Sequence, residues 1–81
     1  MPKDLLDLHG FKGDEVIAAV DDFLMKVNAI SLKRARIMTG KGTGTVKKIA
    51  IQYLKQAGYP WKYEKLSNGK DNEGVLVIFL D

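Results

Sequence analysis

The chain has 81 residues, 46% hydrophobic and 28% charged, with a formal net charge of +3. That suits a single folded domain over residues 1–81, with one small core and one surface site, and excludes a disordered tail. The absence of cysteine excludes a disulfide framework or a thiolate metal or redox site. No apolar run approaches the roughly 20 residues that span a bilayer, and the first residues lack a signal-peptide layout. The expectation is a cytoplasmic domain with no membrane partner.

Residues 4–8, Asp-Leu-Leu-Asp-Leu, read as a short strand ending at His9-Gly10. A turn through Gly13 follows, with Asp14 as N-cap candidate of a first helix. Val16, Val20, Phe23, Leu24 and Val27, with Ile17 beside them, recur at helical spacing over about four turns. Arg34 to Met38 is a second strand, followed by the glycine-dense stretch Thr39-Gly40-Lys41-Gly42-Thr43-Gly44-Thr45. A second helix has Val46, Ile49, Ala50, Tyr53 and Leu54 on one face and Lys47, Lys48, Gln52 and Lys55 on the other. Ala57-Gly58 and Pro60 end it. Trp61 to Lys65 suggest a third strand, residues 67–73 a long polar turn, and residues 75–80 (VLVIFL) an internal fourth strand, since both of its faces are apolar.

The order β-α-β-α-β-β makes the first two strands parallel, through a right-handed crossover, and the last two antiparallel. Two helices cover one face of a four-stranded mixed sheet and leave the other open. The fold class is an α/β two-layer sandwich, with the open face available for weak self-association.

Charge is unevenly distributed. Residues 1–30 hold three lysines against six acids, a balance of −3. Residues 31–65 hold nine basic residues against Glu64 alone, a balance of +8. Residues 66–81 return −2. A basic block of this size inside a folded domain attracts phosphate polymers or forms a solvated face.

Parallel neighbours send their carboxyl ends to one sheet edge, the usual ligand position in open α/β sheets. His9-Gly10 and the glycine stretch would meet there. Backbone N–H groups at a helix start favour an anion, glycines let a phosphate approach the backbone, and Lys41 adds a full charge. The same glycines would also serve a turn that needs positive φ. Gly40, Gly42 and Gly44 match neither the mononucleotide P-loop nor the dinucleotide fingerprint. Alternation puts Leu5, Asp7 and His9 on one side of the first strand, so Asp7 is within reach of the sole histidine. A carboxylate beside an imidazole suits acid–base chemistry, and also fits a surface pair with no task. No cluster has metal-ligand spacing; Mg²⁺ (or Mn²⁺) held by one carboxylate plus substrate phosphates is compatible with the sequence.

Two segments resemble the Smr (small MutS-related) domain family: Leu6-Asp7-Leu8-His9-Gly10, like its leading L-D-x-H-G, and Thr39-Gly40-Lys41-Gly42, like its central [HT]-G-x-G. The likeness extends over roughly residues 5–81. It implies the sandwich of the C-terminal domain of translation initiation factor three, with strand order 1-2-4-3. It also implies cleavage or nicking of DNA or RNA, or binding alone, in proteins that are MutS-like or free-standing. The family's functional positions fall on Asp7, His9 and Gly10 and on Thr39 to Gly42. Many relatives carry histidine where this chain has Thr39, and a Gly-Gly turn where it has Asn72-Glu73-Gly74.

The leading expectation is an endonuclease. His9, oriented by Asp7, would be general acid or base. Gly10, Thr39, Gly40, Lys41 and Gly42, with Lys47 and Lys48, would hold the nucleic-acid phosphate. The alternatives are a DNA- or RNA-binding module that does not cut, and a protein-interaction domain using the open sheet face.

Overall fold

The computed structural model describes residues 4–40 and 44–80. The elements are β1 (Leu5–Asp7), α1 (Gly13–Ala29), β2 (Arg34–Met38), α2 (Thr45–Ala57), β3 (Trp61–Lys65) and β4 (Asp71–Phe79), in the expected sequence. The sheet order is β1-β2-β4-β3. β1 is parallel to β2, and β4 is antiparallel to both β2 and β3. The most apolar strand thus lies inside the sheet. The Cα radius of gyration is 11.9 Å.

Strand alternation fixes which residues face the helices. Ala35 lies opposite Ile78, Ile37 opposite Leu76, and Leu6 opposite Ile37. Ala35, Ile37, Leu76 and Ile78 are fully buried beneath Val16, Val20, Leu24 and Val27 of α1 and Ala50 and Leu54 of α2. Val46, Ile49 and Tyr53 pack at the margin of this core. Ile17 falls outside the α1 stripe and is 54% exposed. Among the described residues no charged or polar residue is buried, and no helix is long and apolar enough to cross a membrane.

Helix boundaries follow local chemistry. α1 starts two residues earlier than the Asp14 cap predicts. Lys12 occupies the N-cap, its N–H bonded to the Glu15 carboxylate at 2.8 Å. Lysine has no side-chain acceptor to return the bond. Asp14 and Glu15 instead lie in the first turn, where the helix dipole favours negative charge. α2 ends at Gly58, whose φ of 80° lets the Tyr59 N–H reach back to the Leu54 carbonyl at 2.9 Å.

β4 begins at Asp71, four residues before the apolar run. The Lys65–Asp71 ion pair (2.6 Å) closes a tighter turn over residues 66–70. The register with β3 then slips between Tyr63 and Glu64, so β4 bulges at residues 73–75.

The helices are tied by the Tyr53 hydroxyl, which donates to the Asp21 carboxylate at 2.6 Å. That hydrogen bond, aided by burial and the carboxylate's charge, pushes the phenol from 10.0 to about 12. The protonated phenol is therefore favoured more in the folded than in the unfolded chain. The resulting stabilisation is complete below pH 10 and is lost as pH rises towards 12. Urea denaturation should show wild type losing more stability than Tyr53→Phe across that interval. Parallel curves would mean that the bond adds nothing in solution.

Candidate nucleic-acid site

The site is built from the parallel pair. Asp7 lies opposite Met38, and the Leu8 N–H continues the ladder to the Met38 carbonyl at 2.9 Å. The two chains therefore leave the sheet side by side, about 4.8 Å apart. His9-Gly10 and Thr39-Gly40 share one rim. Leu8 is buried, and fixes the exposed His9 that follows it. The Phe11 N–H donates to the Leu8 carbonyl at 3.0 Å, closing a tight turn with Gly10 at φ 82°. A Cβ at Gly10 would touch nothing within 4 Å, so the glycine answers a backbone demand and not a spatial one. Gly10→Ala should cost about 1–2 kcal/mol of stability by urea denaturation. An unchanged midpoint would show that the turn adapts.

Asp7 does not meet the imidazole. Its carboxylate accepts the backbone N–H of His9 at 2.8 Å. Among the described residues the imidazole itself has no hydrogen-bond partner, so the expected Asp7–His9 side-chain pair is corrected. The carboxylate follows a two-residue local bond, which needs less ordering than orienting two exposed side chains.

The glycine stretch also differs from expectation. The N–H groups of Thr39 and Gly40 both donate to the Gly74 carbonyl, at 2.8 and 3.2 Å. The Thr39 hydroxyl lies 3.4 Å from the same oxygen. The bulge that presents this carbonyl is held by Asn72, whose side-chain oxygen accepts the Gly74 N–H at 3.1 Å. The Gly40 amide is therefore committed within the protein and does not offer itself to a phosphate. Lys41 and Gly42, the other phosphate ligands expected here, lie outside the described residues.

α2 opens beside this rim. Gly44 is its N-cap, and the Lys48 N–H reaches the Gly44 carbonyl at 2.8 Å. A Cβ at Gly13 would lie 3.1 Å from Ile49 Cδ1 and 3.8 Å from Thr45 Cγ2. The first turns of the two helices are thus packed together, just beyond the His9 turn. The positive ends of both helix dipoles add to the same region.

Lys47 and Lys48 lie further along. Together with Gly44, Ile51, Gln52 and Lys55 they line a shallow depression of about 460 Å³ on the outer flank of α2. Lys47 Nζ also stands 5.5 Å from the Tyr63 ring centroid. The predicted site residues thus form two groups: the rim, with His9 as the acid–base candidate beside Gly10, Thr39 and Gly40, and the α2 flank, with Lys47 and Lys48. Gly44 connects them. Lys55 and the Gly74 carbonyl are additions. Lys55 shares the wet helix face in the sequence, whereas the carbonyl is a main-chain group with no signal beyond the Asn-Glu-Gly turn. Among the described residues no three His, Asp or Glu side chains could hold a metal ion together.

Comparison with known proteins gives a consistent result. The family description "Smr domain" matches residues 6–81. "Endonuclease MutS2" of Clostridium botulinum (strain ATCC 19397 / Type A) is 33% identical over 75 residues, which is 93% of this chain and 10% of that protein. The protein of the same name from Staphylococcus saprophyticus is 35% identical over 73 residues, 90% of this chain and 9% of that protein. The chain thus spans about a tenth of the length of the curated relatives it matches. The crystal structure of the Smr domain of Thermus thermophilus MutS2 superposes with a TM-score of 0.81 at 27% identity, covering 96% of this chain and 98% of that one.

Proposed function

This chain belongs to the Smr domain family, and from that premise we propose that it is a nucleic-acid endonuclease domain acting at the β1–β2 rim. One observation carries the reading: the sole imidazole is exposed at the same sheet edge as the glycine stretch that opens α2. The backbone of DNA or RNA lies along Lys47, Lys48 and Lys55. The scissile phosphate meets Lys41, Gly42 and the amino end of α2, where fixed N–H dipoles offset the charge that builds on phosphorus-bound oxygen. His9 removes a proton from the attacking oxygen or delivers one to the leaving oxygen as the P–O bond breaks. Asp7 acts as a positioning residue, holding the main chain of His9. Gly10 supplies the turn, and Thr39 and Gly40 seat the stretch against Gly74.

A second reading, a module that binds DNA or RNA without cutting, is favoured by the lack of an orienting partner for His9 among the described residues. The two readings share the phosphate track and diverge on cleavage. Removing Lys47 and Lys48 should reduce the slope of log affinity against log salt by about one per lysine contact, read by anisotropy across a salt series. An unchanged slope would remove the α2 flank from both readings. A panel of plasmid, branched DNA and structured RNA, with and without Mg²⁺ or Mn²⁺, should yield nicked or shortened product. Intact substrates throughout would leave only the binding module.

A further inference from the structure

The uncovered face of the sheet carries a combination that the rim does not explain. Phe79 and Val77 of β4 point away from the helices and remain half-buried with no layer above them. The apolar run was expected to be internal because both of its faces are apolar. It is internal within the sheet, yet its second face meets no helix. What flanks it is cationic. The Arg34 guanidinium lies 5.3 Å from the Phe79 ring centroid, and Lys62 stands opposite Val77 on the other side. The acids nearby are already matched: Glu64 lies 3.4 Å from Arg36, and Asp71 2.6 Å from Lys65. Among the described residues Arg34 and Lys62 have no carboxylate partner. These residues border a shallow depression of about 710 Å³.

We propose that this open sheet face is a contact surface for single-stranded nucleic acid, separate from the phosphate track of α2. The inference rests on the reading that the domain handles nucleic acid, and names the form of strand it takes. An aromatic ring with a guanidinium on it offers a planar platform on which an unpaired base stacks, and Lys62 takes the adjoining phosphate. A duplex keeps its base faces inside the helix and cannot use such a platform. The direction is also suitable. Arg34 and Met38 are the two ends of β2, about 13 Å apart at strand rise. A strand laid along β2 from the Phe79 end therefore arrives at Thr39 and the His9 rim.

The test is anisotropy titration of the folded domain with labelled oligothymidylate, oligouridylate and a blunt duplex. Phe79→Leu keeps apolar bulk and removes the ring; Arg34→Gln removes the cation from an exposed position that the fold does not need. Each should weaken single-strand binding by about tenfold and leave duplex binding and the urea midpoint unchanged. Single-strand affinity equal to wild type in Arg34→Gln and Phe79→Leu would overturn the proposal. So would equal weakening of the duplex, or concentration-dependent self-association that Phe79→Leu abolishes. A combined Lys47→Ala and Lys48→Ala variant separates the two ideas. If it loses duplex binding while Arg34→Gln binds single strands normally, the α2 track stands and the sheet surface falls. If it binds every ligand normally while Arg34→Gln loses single strands, the reverse holds.

Discussion

His9→Ala is expected to lower phosphodiester cleavage by about 10²–10⁴-fold, the usual share of a positioned general acid or base, with nucleic-acid affinity unchanged. The expectation depends on place, since His9 is the chain's one imidazole and stands at the rim where the glycine stretch begins. Affinity is spared because the phosphate contacts are assigned elsewhere. Asp7 sharpens the test. Its carboxylate accepts the His9 backbone N–H at 2.8 Å, a bond that an asparagine side-chain oxygen can replace. Asp7→Asn should therefore keep most of the activity, and Asp7→Ala should lose part of it through a loosened turn. If Asp7→Asn fell as far as His9→Ala, the carboxylate's charge would be serving the imidazole in the substrate complex. If His9→Ala cut as fast as wild type, the imidazole would have no part in the chemistry.

Leu76→Ala should cost about 2–5 kcal/mol, the range for truncating a buried leucine. Leu76 is fully buried, stands between Ile37 of β2 and Tyr63 of β3, and belongs to the strand that both neighbours pair with. A domain of this size has a total stability of only about 4–12 kcal/mol, so the variant should be largely unfolded near body temperature. Urea denaturation would show a lower midpoint with an unchanged slope. Met25→Ala, at a position 66% exposed on α1, should stay within about 0.5 kcal/mol of wild type. A Leu76→Ala midpoint equal to that of Met25→Ala would mean that the core collapses around the missing methyl groups.

The element order could be read from the sequence because it rests on repeating apolar patterns, whereas the full strand order came from the family resemblance, composition asking only that the last strand be internal. Val16, Val20, Phe23, Leu24 and Val27 mark one helix face by spacing alone. The run through Val75 and Leu80 is too apolar for a sheet edge. Shared placement of His9 and Thr39 followed from the parallel crossover. The details that escaped were choices among competing short-range hydrogen bonds. Asp7 had two potential partners two residues on, the His9 ring and the His9 amide, and alternation cannot distinguish them. Lys12 rather than Asp14 took the α1 cap because Glu15 could bond back to it. The early start of β4 goes with local bonds of the turn before it, the Leu66 N–H to the Lys70 carbonyl, the Lys70 N–H to the Asn68 side chain and the Lys65–Asp71 ion pair, all invisible to any periodicity.

The Gly74 oxygen has a consequence for how this domain can diversify. It belongs to the peptide backbone, so no exchange of side chain at position 74 deletes it, and the two amides it receives are equally indifferent to what residues 39 and 40 carry, proline excepted. The anchorage of residues 39 and 40 is thereby uncoupled from their own lettering. Selection can vary the side chains at positions 39 and 40 to suit new ligands while the mooring stays where it is.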